Sequence, residues 1–289
     1  MSIDRREFLK TLGVAGGTLT GVSAFGKSKQ ESNSEEFYAI LHDMTLCEGC
    51  QGCEYACAEA NNNPPPADDD YPDSAIRREL KPDQFTVVNA VETSYGEVYT
   101  KQQCMHCAQP ACASACLTQA MKKHEEGPIT WEEGKCMGCR YCMVSCPFDI
   151  PKFEFSSNNP KIGKCQMCFE RLKEGDIPAC VENCPAEGMF FGKRSEVIKE
   201  ARRRILDDPD LYVDHIYGEY EAGGTSWLYL SPVPFEELGF KTGLEEKPYP
   251  ELTKGFLYSV PSIFMLWPAL LMGLREATHK DEEEEVENG

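Results

Sequence analysis

Sixteen cysteines are the residues of this 289-residue chain most able to do chemistry, and none stands alone. They fall into four groups of four: Cys47, Cys50, Cys53, Cys57; Cys104, Cys107, Cys112, Cys116; Cys136, Cys139, Cys142, Cys146; and Cys165, Cys168, Cys180, Cys184. The first and third groups are spaced C-x2-C-x2-C-x3-C, the second C-x2-C-x4-C-x3-C, and the fourth C-x2-C-x11-C-x3-C. Clustered thiolates can form disulfides, hold zinc or hold iron–sulfur clusters. An even count suits disulfides but does not require this spacing. Structural zinc uses paired C-x2-C units, which only some of these gaps provide.

Iron–sulfur chemistry fits the whole pattern. C-x2-C-x2-C-x3-C-P is the bacterial ferredoxin run, and four thiolates hold each cubane. Four complete groups predict four 4Fe-4S clusters with all sixteen cysteines as iron ligands. Three cysteines on a tight loop can converge on one cluster, whereas the fourth points onward to the other cluster of a two-cluster unit. Pro147 and Pro185 follow the third and fourth groups and fix the backbone at that crossing; Ala58 and Leu117 stand there in the other two. Spacing leaves the pairing open. First with second and third with fourth satisfies the count as well as first with fourth and second with third.

No catalytic constellation accompanies the cysteines. There is no glycine-rich phosphate loop, no G-x-S-x-G and no spare cysteine to act as nucleophile. Four thiolates complete each group, so His106 is expected to pack or hydrogen-bond near sulfur rather than ligate. Arg140, Lys152 and Lys164 lie beside cysteines, where positive charge would raise a cluster's potential. The chain is expected to move electrons rather than transform a substrate.

Small elements must position these loops. Phe85–Val88 and Glu97–Thr100 read as two strands joined through Ser94-Tyr95-Gly96, and Ile129–Trp131 and Met189–Phe191 as short strands. Asn61 to Asp70, with Pro64-Pro65-Pro66, reads as a loop. Ser195 is expected to cap a helix with Val197, Ala201 and Ile205 on one face and Arg202-Arg203-Arg204 on a solvated or partner-facing side. Trp227–Leu230 alternates, and a proline-containing passage from Pro232 to Pro250 reads as an extended strap. The expected fold class is α+β, with tandem ferredoxin-like two-cluster units carrying insertions, plus one C-terminal transmembrane helix.

Both termini carry address information. Asp4-Arg5-Arg6-Glu7-Phe8-Leu9-Lys10, followed by a mild apolar stretch, reads as a twin-arginine signal peptide over residues 1–30, with small residues for cleavage at Val22-Ser23-Ala24. A route for folded proteins suits metal-bound thiolates assembled in a reducing cytoplasm, since metal binding folds such domains. Phe256 to Leu274 holds no charged residue and approaches the ~20 residues a membrane-spanning helix needs. Pro261 and Pro268 argue for a re-entrant or interfacial segment instead, but membrane helices tolerate proline. The expected organisation is a four-cluster domain at 37–194, a helix and strap at 195–254, an anchor at 255–275 and a solvated, disordered acidic tail at 276–289. With 48 acidic against 29 basic residues, the net charge of −19 excludes nucleic acid, whose phosphates are bound by Lys and Arg that displace their counterions.

From about Leu41 onward the chain resembles the four-cluster, ferredoxin-like electron-transfer subunits of periplasmic membrane-bound oxidoreductases. LCEGCQGCEYAC, KQQCMHCAQPACASAC, CMGCRYCMVSCPFDIPK, CQMCFERLKEGDIPACVENCPAEGMFFG and EYEAGGTSWLYLSPVPFEEL carry the likeness. Within that group it is most similar to the ferredoxin-like subunits of periplasmic nickel–iron hydrogenases. The resemblance implies nested pairing: Cys47, Cys50, Cys53 with Cys184; Cys165, Cys168, Cys180 with Cys57; Cys104, Cys107, Cys112 with Cys146; and Cys136, Cys139, Cys142 with Cys116. It further implies a catalytic partner on the periplasmic face, a nickel–iron hydrogenase small/large pair being favoured, and an integral membrane, quinone-reactive partner. The alternative within the class is the β-subunit of a formate dehydrogenase or another molybdopterin oxidoreductase. The alternative outside it is a zinc- or disulfide-stabilised binding module.

Overall fold

The computed structural model describes residues 36–67, 70–157 and 160–287. The twin-arginine stretch and the rest of residues 1–30 lie outside them. In chain order the described elements are β1 (Tyr38–Asp43), α1 (Gly52–Ala60), β2 (Thr86–Thr93), β3 (Gly96–Gln103), α2 (Ala111–Ser114), β4 (Met121–Lys123), β5 (Ile129–Trp131) and α3 (Tyr141–Ser145). There follow β6 (Lys152–Phe153), β7 (Ile162–Gly163), α4 (Phe169–Glu174), α5 (Ala179–Glu182), β8 (Met189–Lys193), α6 (Arg194–Asp207), β9 (Trp227–Leu230) and α7 (Tyr249–Glu287). The fold is mixed helix and strand.

Strand β1 lies in the middle of a three-stranded sheet, antiparallel to β8 and parallel to β9. Successive strand residues face opposite sides, and both sides of β1 are covered. Ala39 and Leu41, with Leu228 and Leu230 of β9, pack against Val197, Ala201 and Ile205 of α6. Ile40, Trp227 and Tyr229 point the other way, into the core that holds Met105, Met167, Cys53 and Cys180. One sheet therefore separates an ordinary apolar layer from the cysteine-bearing layer.

Strands β2 and β3 form an antiparallel hairpin from Thr86↔Gln103 to Thr93↔Gly96, extending the first expected strand to the turn and the second toward Cys104. Helix α6 begins one residue before Ser195. Glu196 Oε2 accepts the Lys193 N–H at 3.2 Å, so Lys193 holds the cap position expected of Ser195. The three arginines are engaged within the chain: Arg202 with Glu219, Arg203 with Glu200 and Asp207, and Arg204 with buried Asp43 at 2.8 Å. Past β9, Val233, Phe235 and Leu238 are buried in the same core as Trp227, so the start of the expected strap packs down. These elements belong to one compact unit, Ser34–Leu252.

Helix α7 is described by itself. Its stretch Tyr249–Glu276 is long and apolar enough to cross a membrane, with a mean hydropathy of 1.6 over its most apolar 18 residues. Pro261 and Pro268 lie inside the helix without ending it. The helical backbone continues through Glu287, where the acidic tail was expected to be disordered.

Candidate functional site

Each cysteine group is a loop followed by a short helix. Helices α1, α2, α3 and α5 carry Cys53 and Cys57, Cys112, Cys142 and Cys180 respectively. In every group the residue before the second cysteine is left-handed: Gly49 (φ 68°), His106 (48°), Gly138 (71°) and Met167 (54°). A left-handed residue beside right-handed ones turns successive N–H groups into one concavity, a form of anion nest. Strain at His106 and Met167 is tolerated only where the surroundings impose it. At Gly49 a side chain is also excluded by space, since a Cβ would lie 2.3 Å from the Tyr99 ring. After the fourth cysteine, Gln119, Asp149 and Glu187 are again left-handed and donate their N–H groups to Cys116, Cys146 and Cys184 carbonyls. Leu117 supports the same turn as Pro147 and Pro185, so proline is dispensable there.

The groups interleave. Helix α1 packs on α5, bringing the first and fourth together, and α2 packs on α3, bringing the second and third together. The thiols register the same arrangement. Burial pushes Cys47 up to about 11, opposed by the Gly49 amide and helped by Cys184 and Cys50. Burial and then Cys165, Cys180 and Cys168 push Cys57 well up. In the other half, burial and then Cys146, Cys104 and Cys112 raise Cys107. Cys142 rises to about 11 through burial, Cys136, Cys116 and Cys139. The halves meet at Cys165, raised to about 12 by burial and then by Cys104. Cys116 differs: burial raises it, but hydrogen bonds, led by the Met121 N–H at 3.4 Å, outweigh that and its pKa falls.

All sixteen cysteines stand as free thiols, none joined in a disulfide. Among the described residues no three His, Cys, Asp or Glu side chains converge tightly enough for one metal ion, the arrangement structural zinc needs. Crowded thiols, most of them buried or half-buried, suit a positive inorganic core that shares their charge, and the turned amides suit its sulfides. The donor set fits 4Fe-4S clusters. Only Cys50 and Cys139 are exposed, one in each half.

The basic residues expected beside cysteines separate by environment. Lys164 is buried, its Nζ donating to the Ile129 carbonyl and to the Cys165 carbonyl at 2.9 Å. Lys152 pairs with Asp149 at 3.5 Å, and Arg140 lies over the Phe153 and Phe155 rings. His106 is fully buried and its Nδ1 accepts the Ile129 N–H at 2.9 Å, consistent with packing. Two lysines escaped sequence reasoning. Lys123 donates to the Cys107 carbonyl at 3.1 Å, and burial pulls its pKa down to about 8. Lys101 is buried among thiols of the first and fourth groups. For Lys101 the available signal was a lysine on a strand running directly into Cys104; Lys123 carried none.

Comparison with known proteins agrees with this site. A 4Fe-4S dicluster domain family matches residues 96–194, which contain three of the four groups. A protein of Nitratidesulfovibrio vulgaris is 44% identical over 97% of this chain and 78% of its own length. The hydrogenase-2 operon protein HybA of Escherichia coli is 33% identical over 82% of this chain and 83% of its own. The formate dehydrogenase-O iron-sulfur subunit of Escherichia coli is 30% identical over 70% and 69%. The chain thus belongs to the family of ferredoxin-like, 4Fe-4S electron-transfer subunits of hydrogenase- and formate dehydrogenase-type complexes.

Proposed function

We propose that this chain holds four 4Fe-4S clusters in tandem two-cluster units and relays electrons between a periplasmic nickel–iron hydrogenase and a quinone-reactive membrane subunit. The observation that carries the reading is the interleaving of sixteen free thiols, in which the last cysteine of each group stands among the first three of another. Cys47, Cys50, Cys53 and Cys184 would hold one cluster, and Cys57, Cys165, Cys168 and Cys180 the next. Cys104, Cys107, Cys112 and Cys146 would hold the third, and Cys116, Cys136, Cys139 and Cys142 the fourth. When bound, such clusters supply one-electron carriers at potentials set by charge, hydrogen bonds and exposure. The chain's own residues exclude water, turn amides inward and supply buried lysines.

Similarity to HybA over most of both chains favours a hydrogenase. Likeness to formate dehydrogenase iron–sulfur subunits supports the second reading, a molybdopterin partner. The twin-arginine stretch supports export in folded form, and the apolar part of α7 supports a single C-terminal anchor. Affinity isolation from detergent-solubilised membranes, followed by mass spectrometry, tests the assignment. Nickel–iron small and large subunits with a polytopic membrane protein are expected. Recovery of a molybdopterin subunit in their place overturns the hydrogenase choice.

A further inference from the structure

Lys101 occupies an unusual position for a lysine. It lies on β3, three residues before Cys104, and is 1% exposed. Its Nζ donates to Thr86 Oγ1 at 2.7 Å and Gln103 Oε1 at 2.9 Å, and stands 4.4 Å above the Trp227 ring. Those oxygens are neutral, and among the described residues no carboxylate pairs with the ammonium. A buried charge without a counter-charge is costly, so one must come from elsewhere in the core. Cys47, Cys53, Cys57, Cys165 and Cys180 all lie within its electrostatic reach. Burial opposes the charged ammonium, and thiolates at Cys180, Cys53, Cys165 and Cys57, as cluster ligands would be, favour it.

We propose that Lys101 is the internal counter-charge of the first–fourth pair of centres, raising the reduction potentials of the clusters on Cys47, Cys50, Cys53, Cys184 and on Cys57, Cys165, Cys168, Cys180. The inference rests on the cluster reading above. Reduction adds one negative charge to a cluster, and a fixed cation in a low-dielectric core favours the more negative state. Thr86, Gln103 and the face of Trp227 hold the ammonium in place without neutralising it. The second–third pair has separate cations in Lys123, bonded to the Cys107 carbonyl, and Lys164. The larger effect of Lys101 is therefore expected on the first–fourth half of the centres.

Redox titration of the full-length protein in its complex, followed by electron paramagnetic resonance, tests this in Lys101→Met, Lys101→Gln and Lys101→Arg. Iron content should stay at the wild-type level in all three. In the two uncharged variants two midpoints should fall by at least a tenfold change in the reduction equilibrium, about 59 mV for one electron. The other two should move less, and K101R should remain close to wild type. Iron-complete K101M or K101Q with unmoved midpoints overturns the proposal, as do four midpoints moving alike or K101R falling as far as K101M. If the uncharged variants lose iron, loss confined to the first–fourth pair and prevented in K101R supports the counter-charge. Loss from all four groups would make Lys101 a general core residue and overturn it. Wild-type protein without four centres is a separate outcome that removes the cluster reading first.

Discussion

Removing the guanidinium of Arg78 should destabilise the fold through the first cysteine group. Glu54 sits between Cys53 and Cys57 on α1 and is 2% exposed. Its carboxylate accepts from Arg78 Nη1 at 3.1 Å and from Nη2, from the Val88 N–H at 2.7 Å and from Gln84 Nε2 at 3.1 Å. Arg78 also reaches Asp70 at 3.1 Å and the Val88 carbonyl at 2.6 Å, so the pair pins α1 to β2. Arg78→Met leaves Glu54 with two neutral donors and no counter-charge. Breaking a buried pair in this way costs about 3–5 kcal/mol. For a unit of this size each kcal/mol moves Tm by roughly 2–4 °C, so scanning calorimetry at a fixed scan rate should find Tm lowered by roughly 6–20 °C. The double variant Glu54→Leu/Arg78→Met removes both charges and should recover at least half the loss, the remainder reflecting the orphaned Val88 N–H. A single variant within about 2 °C of wild type, or a double variant no better than the single, would refute the reasoning.

Further outcomes follow from other sites. Burial, aided by Lys101, lowers the His42 pKa to about 3, below its ordinary value of 6.5. The unfolded chain therefore binds the extra proton, and stability complete above pH 6.5 should fall by about 2 kcal/mol on going to pH 5. Buried His106 is lowered in the same direction and adds its own loss, so denaturant titrations at both pH values should find at least that loss, and His42→Leu should remove only the His42 share. Gly49→Ala places a methyl group against the Tyr99 ring and should deplete iron, whereas Gly138→Ala, with open space around it, should cost only about 1 kcal/mol of backbone strain. Equal iron in the two alanine variants would contradict the steric argument. Deleting residues from Phe256 onward should move a still brown protein from the membrane fraction to the soluble one, as fractionation and absorbance would report. Retention of that truncated chain in membranes would contradict a single-helix anchor.

The parts of the site legible in the sequence depend on local chemistry. Cysteine spacing governs which sulfurs can share a loop, so the four groups were visible without a fold. The β2–β3 hairpin was visible from two strand-forming runs on either side of Ser94-Tyr95-Gly96. Residues whose meaning depends on distant partners were hidden. Lys101 reads as an ordinary strand lysine until Trp227, from the far end of the chain, closes over it. Arg204 reads as solvated until Asp43 is buried beneath it. Val233, Phe235 and Leu238 sit in a proline-containing passage whose apolar residues follow no regular period, so their return to the core left no pattern. The Ser195 cap failed for a smaller reason, because Glu196 reaches back to the Lys193 amide and starts the helix earlier.

The most direct test of the central claim is iron and acid-labile sulfide per chain in anaerobically purified protein, with spin quantitation after reduction. Four irons for each cysteine group give about sixteen irons and as many sulfides per chain, and four interacting paramagnetic centres should appear. Zinc in place of iron, or iron without an equal amount of sulfide, would contradict the account.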